Sequence, residues 1–265
     1  MPKLFCSTMG CGGRFGNQLF AYAFGMGLAR KLECDLYIPS NWLGRKIFKI
    51  NNPVSDDIIH HGSRTSIDYI PTKSDLDQYQ NIDLFGYYQY QDALDFYSRK
   101  DVLEWLQFQD WVETKFPFIF NSDIVVHKRR GDYVNLQDRY CSITDKSFTW
   151  PEQQAIDETL RECGEVTCFT ELTEERPIRD EYCDKEGIGF LPDFMKMVRA
   201  RTVIRSNSTF SWWPSVLSGE KVWAPVVKDK VGWQDVEFVF GNWPRFIDEK
   251  YHPFTKISDL HLKDK

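Results

Sequence analysis

The residues best suited to chemistry in this chain lie in Ile124-Val125-Val126-His127-Lys128-Arg129-Arg130-Gly131-Asp132-Tyr133, where a β-branched apolar run empties into three consecutive cations, a glycine and an aspartate. A buried strand that ends this way delivers positive charge to the carboxyl edge of a sheet, the edge at which open α/β sheets bind ligands. Guanidinium groups there suit a phosphate or diphosphate held by planar forks rather than through a divalent metal. Adjacent side chains on an extended segment point opposite ways, so Arg129 can face a ligand while Arg130 pairs with Asp132 and supports the loop. A surface ion-pair patch is the plain alternative, and the apolar strand feeding the cations argues against it.

Two further stretches suit an anion. Ser206-Asn207-Ser208-Thr209 joins a strand predicted over Thr202 to Ile204 to a helix predicted over Phe210 to Leu217. Its hydroxyls and the N–H groups of a helix start can hold phosphate oxygens, and a simple N-cap at Ser208 or Thr209 is compatible with that role. Gly10-Cys11-Gly12-Gly13-Arg14-Phe15-Gly16 follows an opening strand, Lys3 to Ser7, and precedes a helix predicted from Asn17 to Leu32. These glycines lack the spacing of the dinucleotide fingerprint and indicate only a tight turn or a close approach. Arg14 and Asn17 stand at that turn, beside a helix N-terminus that favours negative charge.

A metal reading has one candidate, Asp75-Leu76-Asp77. It lies in a polar stretch with no buried strand before it, so a solvated turn is expected and no metal site is assigned. Trp212 and Trp213 are assigned to the core rather than to a sugar platform.

The elements that must position these residues alternate. After the first helix, predicted to be buried because it is apolar nearly all round, come strands at Leu36 to Ile38 and Ile82 to Gly86 and helical periodicity from Asp92 to Phe108. Trp111 to Asn121, which contains Pro117, is the expected boundary. Beyond it come strands at Ile124 to Val126, Val166 to Phe169, Thr202 to Ile204 and Lys221 to Ala224. Helices are expected from Trp150-Pro151 to about Glu162 and over Asp193 to Ala200. The pattern predicts an α/β protein with two Rossmann-like, parallel-sheet domains facing a cleft, an N-terminal one over 1–120 and a C-terminal one over 121–265.

The totals limit the partners. With 265 residues, 42% of them hydrophobic, the chain can fill real cores. A net charge of -6 with no basic tail argues against nucleic acid as the main partner, so local cations serve a small anion. The 15% aromatic content leans slightly toward carbohydrate. Seven cysteines without CxxC or zinc spacing read as reduced thiols, and no export signal or membrane span is spelled, which together predict a cytoplasmic protein. Asn207-Ser208-Thr209 spells a glycosylation sequon that would then meet no glycosylating compartment.

Taken together, Gly13-Arg14-Phe15-Gly16-Asn17-Gln18, the stretch from His127 to Tyr133, and Ser206-Asn207-Ser208-Thr209-Phe210-Ser211-Trp212-Trp213 resemble the three signatures of the α-1,2-fucosyltransferases, glycosyltransferase family 11. Gly86-Tyr87-Tyr88-Gln89 resembles a fourth, weaker segment. The matches run in the family's order from residue 13 to about 225. Phe169-Thr170-Glu171 departs from the Phe-Ser-Asp-Asp pattern common in that family.

The resemblance implies a GT-B-like, inverting enzyme that needs neither metal nor other cofactor. Its donor would be GDP-β-L-fucose, and its product an α-L-fucoside on O2 of a galactose-type glycan. It further implies that Arg129 contacts the donor diphosphate with His127 nearby, that Asp193 serves the guanine and ribose side, and that Ser208 and Thr209 serve the phosphates. Gly13, Arg14, Gly16 and Asn17 complete the expected donor contacts. For the general base the candidates are Asp138, Asp132 and Asp145, and relatives with a base shortly after the cationic core favour Asp138. The alternatives are another inverting fucosyltransferase of different acceptor or linkage, and a non-catalytic module that binds GDP-sugar or glycan. The oligomeric state is open.

Overall fold

The computed structural model describes residues 2–7, 9–10, 13–55, 63–64, 68–117, 124–129, 169–174, 187–204, 208–218, 221–224 and 255–256. It divides into two units, one made of Met1–Thr114 with Leu262–Lys265 and the other of Lys115–His261. Each is built on its own sheet, and the expected α/β architecture with a parallel sheet in each half is the observed one.

The first unit has a four-stranded sheet in the order β2-β1-β4-β3, with β1 Lys3–Phe5, β2 Asp35–Tyr37, β3 Ser63–Arg64 and β4 Asn81–Asp83, all neighbours parallel. Parallel strands need crossovers, and α1, Phe15–Leu32, supplies the one from β1 to β2. Phe20, Phe24 and Leu28 of this helix are almost wholly buried. Its glycines explain how closely it sits. A Cβ on Gly25 would touch the Leu36 side chain at 3.0 Å, and one on Gly27 would run into the carbonyl oxygen of Phe96. The helix stops where Glu33 turns left-handed at φ 55° and its N–H reaches back to the carbonyls of Ala29 and Arg30.

The second unit has the order β6-β5-β7-β8-β9, with β5 Ile124–Arg129, β6 Phe169–Glu174, β7 Thr202–Ile204, β8 Lys221–Ala224 and β9 Thr255–Lys256. Only the β8–β9 pair is antiparallel. Helices α7, Leu191–Val198, and α8, Thr209–Ser218, pack on it. Val125 and Val203 from the sheet meet Met197 and Ala200 from the α7 segment in one buried cluster, with Phe210 against it. Trp212 and Trp213 are fully buried, which is the core role expected of them. No helix among the described residues is long and apolar enough to cross a membrane.

Several boundaries differ from the sequence reading. The stretch Asp92 to Phe108 is not one helix: α4, Gln91–Leu94, ends early, and α5, Arg99–Trp105, restarts behind a Ser98 capping box with Asp101. The capping signal outweighed the apolar period that runs through both. Asp75-Leu76-Asp77 is not a turn but the middle of α3, Lys73–Tyr79. Thr72 caps that helix, and the Asp75 carboxylate accepts bonds from the Thr72 N–H and hydroxyl at 2.7 Å each and from the Tyr69 hydroxyl at 3.0 Å. The first cations do not lie in a turn after Val126 either. Strand β5 continues through His127 and Lys128 to Arg129, because β6 offers a full-length parallel partner from Phe169 to Glu174. Of the strand expected over Val166 to Phe169, all but Phe169 lies outside the described residues. Two short helices, α2 at Gly44–Ile47 and α6 at Asp110–Lys115, were not foreseen.

Candidate functional site

In the first unit the site is built at the carboxyl ends of β1 and β4, which are hydrogen-bonded neighbours running the same way. Their following segments therefore emerge side by side. A buried carboxylate joins the two exits: Asp83 closes β4, and its oxygens accept the Ser7 N–H at 2.9 Å and the Ser7 hydroxyl at 2.5 Å. From there the β1 side enters the glycine turn and the β4 side enters Gly86-Tyr87-Tyr88-Gln89.

The two segments meet. Gln89 is 4% exposed, and its Nε2 donates to Asn17 Oδ1 at 3.0 Å. Gly13 adopts φ +72°, and a Cβ there would lie 2.6 Å from Asn17 Nδ2 and 2.8 Å from Tyr87 Cε1, so any side chain there must displace both and hold a left-handed backbone, which favours glycine. Gln18, 3% exposed, folds its Nε2 back onto the Gly13 carbonyl at 2.9 Å and accepts the Trp42 indole N–H at 3.0 Å. Three amide side chains at one sheet edge are thus either buried or committed to defined partners. Arg14 is the half-buried N-cap residue of α1 and makes no side-chain cap bond, while Gly16 is buried in the first turn. The helix begins two residues before Asn17, so Asn17 projects from its first turn rather than preceding it.

In the second unit the sheet edge is formed by β5 and β7. Their register pairs Val126 with Ile204, so His127 stands one position beyond the last residue of β7. His127 is 1% exposed, and its ring centroid lies 5.8 Å from that of Phe210. Phe210 sits in the first turn of α8, directly after Ser208 and Thr209. Ser208 is buried and caps this helix: its Oγ accepts the Phe210 N–H at 3.3 Å, and its carbonyl accepts the Trp212 N–H at 3.0 Å. Thr209 opens the helix and is half-buried.

Phe210 also makes edge-on contacts with Phe190 and Phe194 of the α7 segment, at centroid distances of 6.0 and 5.9 Å. One aromatic ring thus joins His127, the Ser208-Thr209 helix start and the helix that carries Asp193. The sequence reading missed this role for Phe210. Its only signal was an aromatic residue directly after two hydroxyl residues at a helix start. Asp193 itself is exposed on the first turn of α7, 3.5 Å from Lys196 Nζ. Arg129 ends β5, opposite Glu174 of β6. Arg130, Asp132, Asp138 and Asp145 lie outside the described residues.

The arrangement presents hydroxyl and helix-start groups beside a buried imidazole in one unit, and an amide-lined turn in the other. Both suit polar, oxygen-rich ligands. No group of three or more His, Cys, Asp or Glu side chains that could hold a metal ion occurs among the described residues.

No family model matches the chain, and no curated protein matches it. Among solved structures, POFUT1 in complex with GDP-fucose is 14% identical with a TM-score of 0.48, over 82% of this chain and 94% of that one. The NodZ α-1,6-fucosyltransferase soaked with GDP-fucose is 14% identical with a TM-score of 0.46, over 84% and 94%. The fucosyltransferase NodZ from Bradyrhizobium is 13% identical with a TM-score of 0.43, over 84% and 96%.

Proposed function

We propose that this chain transfers L-fucose from GDP-β-L-fucose to O2 of a galactose-type acceptor glycan, with inversion and without a metal. The observation that supports it is the pairing of motifs within each unit. The glycine turn and the Gly86-Tyr87-Tyr88-Gln89 segment meet through Asn17 and Gln89, and the His127 strand and the Ser208-Thr209 helix start meet through Phe210. These are the segments whose spelling resembles family 11, and each pair stands at the carboxyl edge of a parallel sheet.

In this reading the second unit holds GDP and the first receives the acceptor. The acceptor hydroxyl attacks the fucose anomeric carbon as the bond to the β-phosphate oxygen breaks, so negative charge grows on departing GDP. Arg129 neutralises that charge as a two-pronged donor, with Ser208 and Thr209 at the phosphates and Asp193 toward the guanine and ribose. Gly13, Arg14, Gly16 and Asn17 are assigned to donor binding as well. Asp138 takes the acceptor proton. Asp75 is not recruited for a metal, because its carboxylate already serves the α3 cap and Tyr69. The protein works in the cytoplasm.

The test is incubation with GDP-fucose and a panel of galactosides and other sugars, with linkage analysis and an EDTA arm. An α-1,2-fucosyl galactoside formed in EDTA is expected. A product of another linkage or acceptor would replace the specificity, GDP-fucose binding without transfer would leave a binding module, and activity restored only by Mn²⁺ would overturn the metal-free mechanism.

A further inference from the structure

Asp68 belongs to none of the motifs, yet it grips one of them. Its Oδ1 accepts the backbone N–H of Tyr87 at 2.6 Å and of Tyr88 at 2.8 Å, while its carbonyl accepts the Tyr90 hydroxyl at 2.7 Å. Its own N–H donates to the Phe85 carbonyl at 2.8 Å. Four bonds from one residue therefore hold the backbone and side chains from Phe85 to Tyr90.

The grip supports an unfavourable conformation. Asp68 and Tyr88 both have positive φ, 58° and 52°. A left-handed tyrosine is costly and persists only where its surroundings over-determine it. Tyr88 is fixed on one side by the Asp68 carboxylate and on the other by its ring, which is fully buried and stacked on Phe24 of α1 with centroids 4.0 Å apart. Gly86 completes the fit, since a Cβ there would run into the Asp68 side chain.

What the segment carries is Tyr87 against the glycine turn and Gln89 bonded to Asn17. We infer that Asp68 is a positioning residue: through the Tyr87 and Tyr88 amides it sets the place of Gln89, and through Gln89 the direction in which the Asn17 amide faces at the sheet edge. The inference about activity rests on the fucosyl-transfer reading, in which Asn17 touches the donor. The structural link from Asp68 to Asn17 does not depend on it.

Two variants of the full chain separate positioning from backbone strain. Asp68→Gly keeps positive φ accessible and deletes the carboxylate alone; Asp68→Asn keeps an Oδ1 acceptor and tolerates the same φ. In Asp68→Gly, hydrogen exchange at the Tyr87 and Tyr88 amides should accelerate, and the Asn17 side-chain amide signals, assigned through Asn17→Asp, should shift. With GDP-fucose and the accepted galactoside, kcat should fall about tenfold or more, the order expected when a reacting geometry loosens. Asp68→Asn should recover most of both. Wild-type exchange and unmoved Asn17 signals in Asp68→Gly would overturn the inference, as would an Asn variant no better than the Gly variant. If the native protein transfers no fucose, the functional reading fails while the exchange and amide signals still decide the role of Asp68.

Discussion

Gly13→Ala, compared with Gly10→Ala, measures how closely the glycine turn is packed. Both glycines have positive φ, +72° and +94°, so an alanine at either pays the left-handed penalty of an L-residue, about 1–2 kcal/mol. They differ in what the new methyl meets. At Gly10 no atom of the described residues lies within 4 Å, whereas at Gly13 the methyl falls 2.6 Å from Asn17 Nδ2 and 2.8 Å from Tyr87 Cε1. Asn17 can relieve the first overlap only by turning its amide, which breaks the 3.0 Å bond from Gln89 and removes about 1 kcal/mol. The Tyr87 ring must shift as well, and overpacking of this kind adds about 1–3 kcal/mol. Urea unfolding should therefore place Gly13→Ala below Gly10→Ala in stability by at least about 1 kcal/mol. The glycosyl-transfer assay should show a larger loss for Gly13→Ala than for Gly10→Ala. Equal stability and equal activity of the two variants would refute the close approach and, with it, the account of the turn.

The other predictions are more direct. Arg129→Ala should remove about 3 kcal/mol of transition-state stabilisation, by analogy with the loss of one oxyanion donor, and near wild-type turnover would end its assignment as leaving-group clamp. Asp138→Asn should lower turnover with little change in GDP affinity measured by calorimetry; unchanged turnover would exclude it as the base. Arg30 donates through both terminal nitrogens to Asp101, which together with the Ser98 cap bonds holds the Asp101 carboxyl well below its usual range. Thr72 does the same, more mildly, for Asp75. A carboxyl with a lowered folded pKa contributes stability that is complete above its unfolded value and is lost as pH falls toward the folded one. Stability should therefore decline below about pH 5, and Asp101→Asn should flatten that decline; an unaltered slope would show that the pair is not linked to folding. The Tyr97 hydroxyl is buried with no hydrogen-bond partner among the described residues. Tyr97→Phe should thus be neutral or up to about 1 kcal/mol more stable, and a clear loss on thermal melting would reveal a partner.

Local chemistry made much of this protein legible from its residues. The β-branched run at Ile124, the small-residue helix after the glycine turn, and the strands at Thr202 and Lys221 are each specified by their own composition, and each appears where its pattern predicts. The ends of elements were less legible. They depend on which of two local signals wins and on what lies alongside, as the split after Leu94 and the full-length β5 pairing show. The candidate residues Arg14, Asn17 and Ser208 could be chosen by type and place, because anion binding at a helix start demands particular groups, while His127 came from the family resemblance. Their partners could not. Gln89 reaching Asn17 across 72 positions, Asp68 accepting the Tyr87 and Tyr88 amides, and Phe210 joining His127 to the α7 segment all arise from parallel strands bringing distant loops to a common edge. Sequence determined which groups are available for chemistry, since that is a property of the residues. Which of them touch was decided by strand order and register, and a chain read in one dimension carries neither.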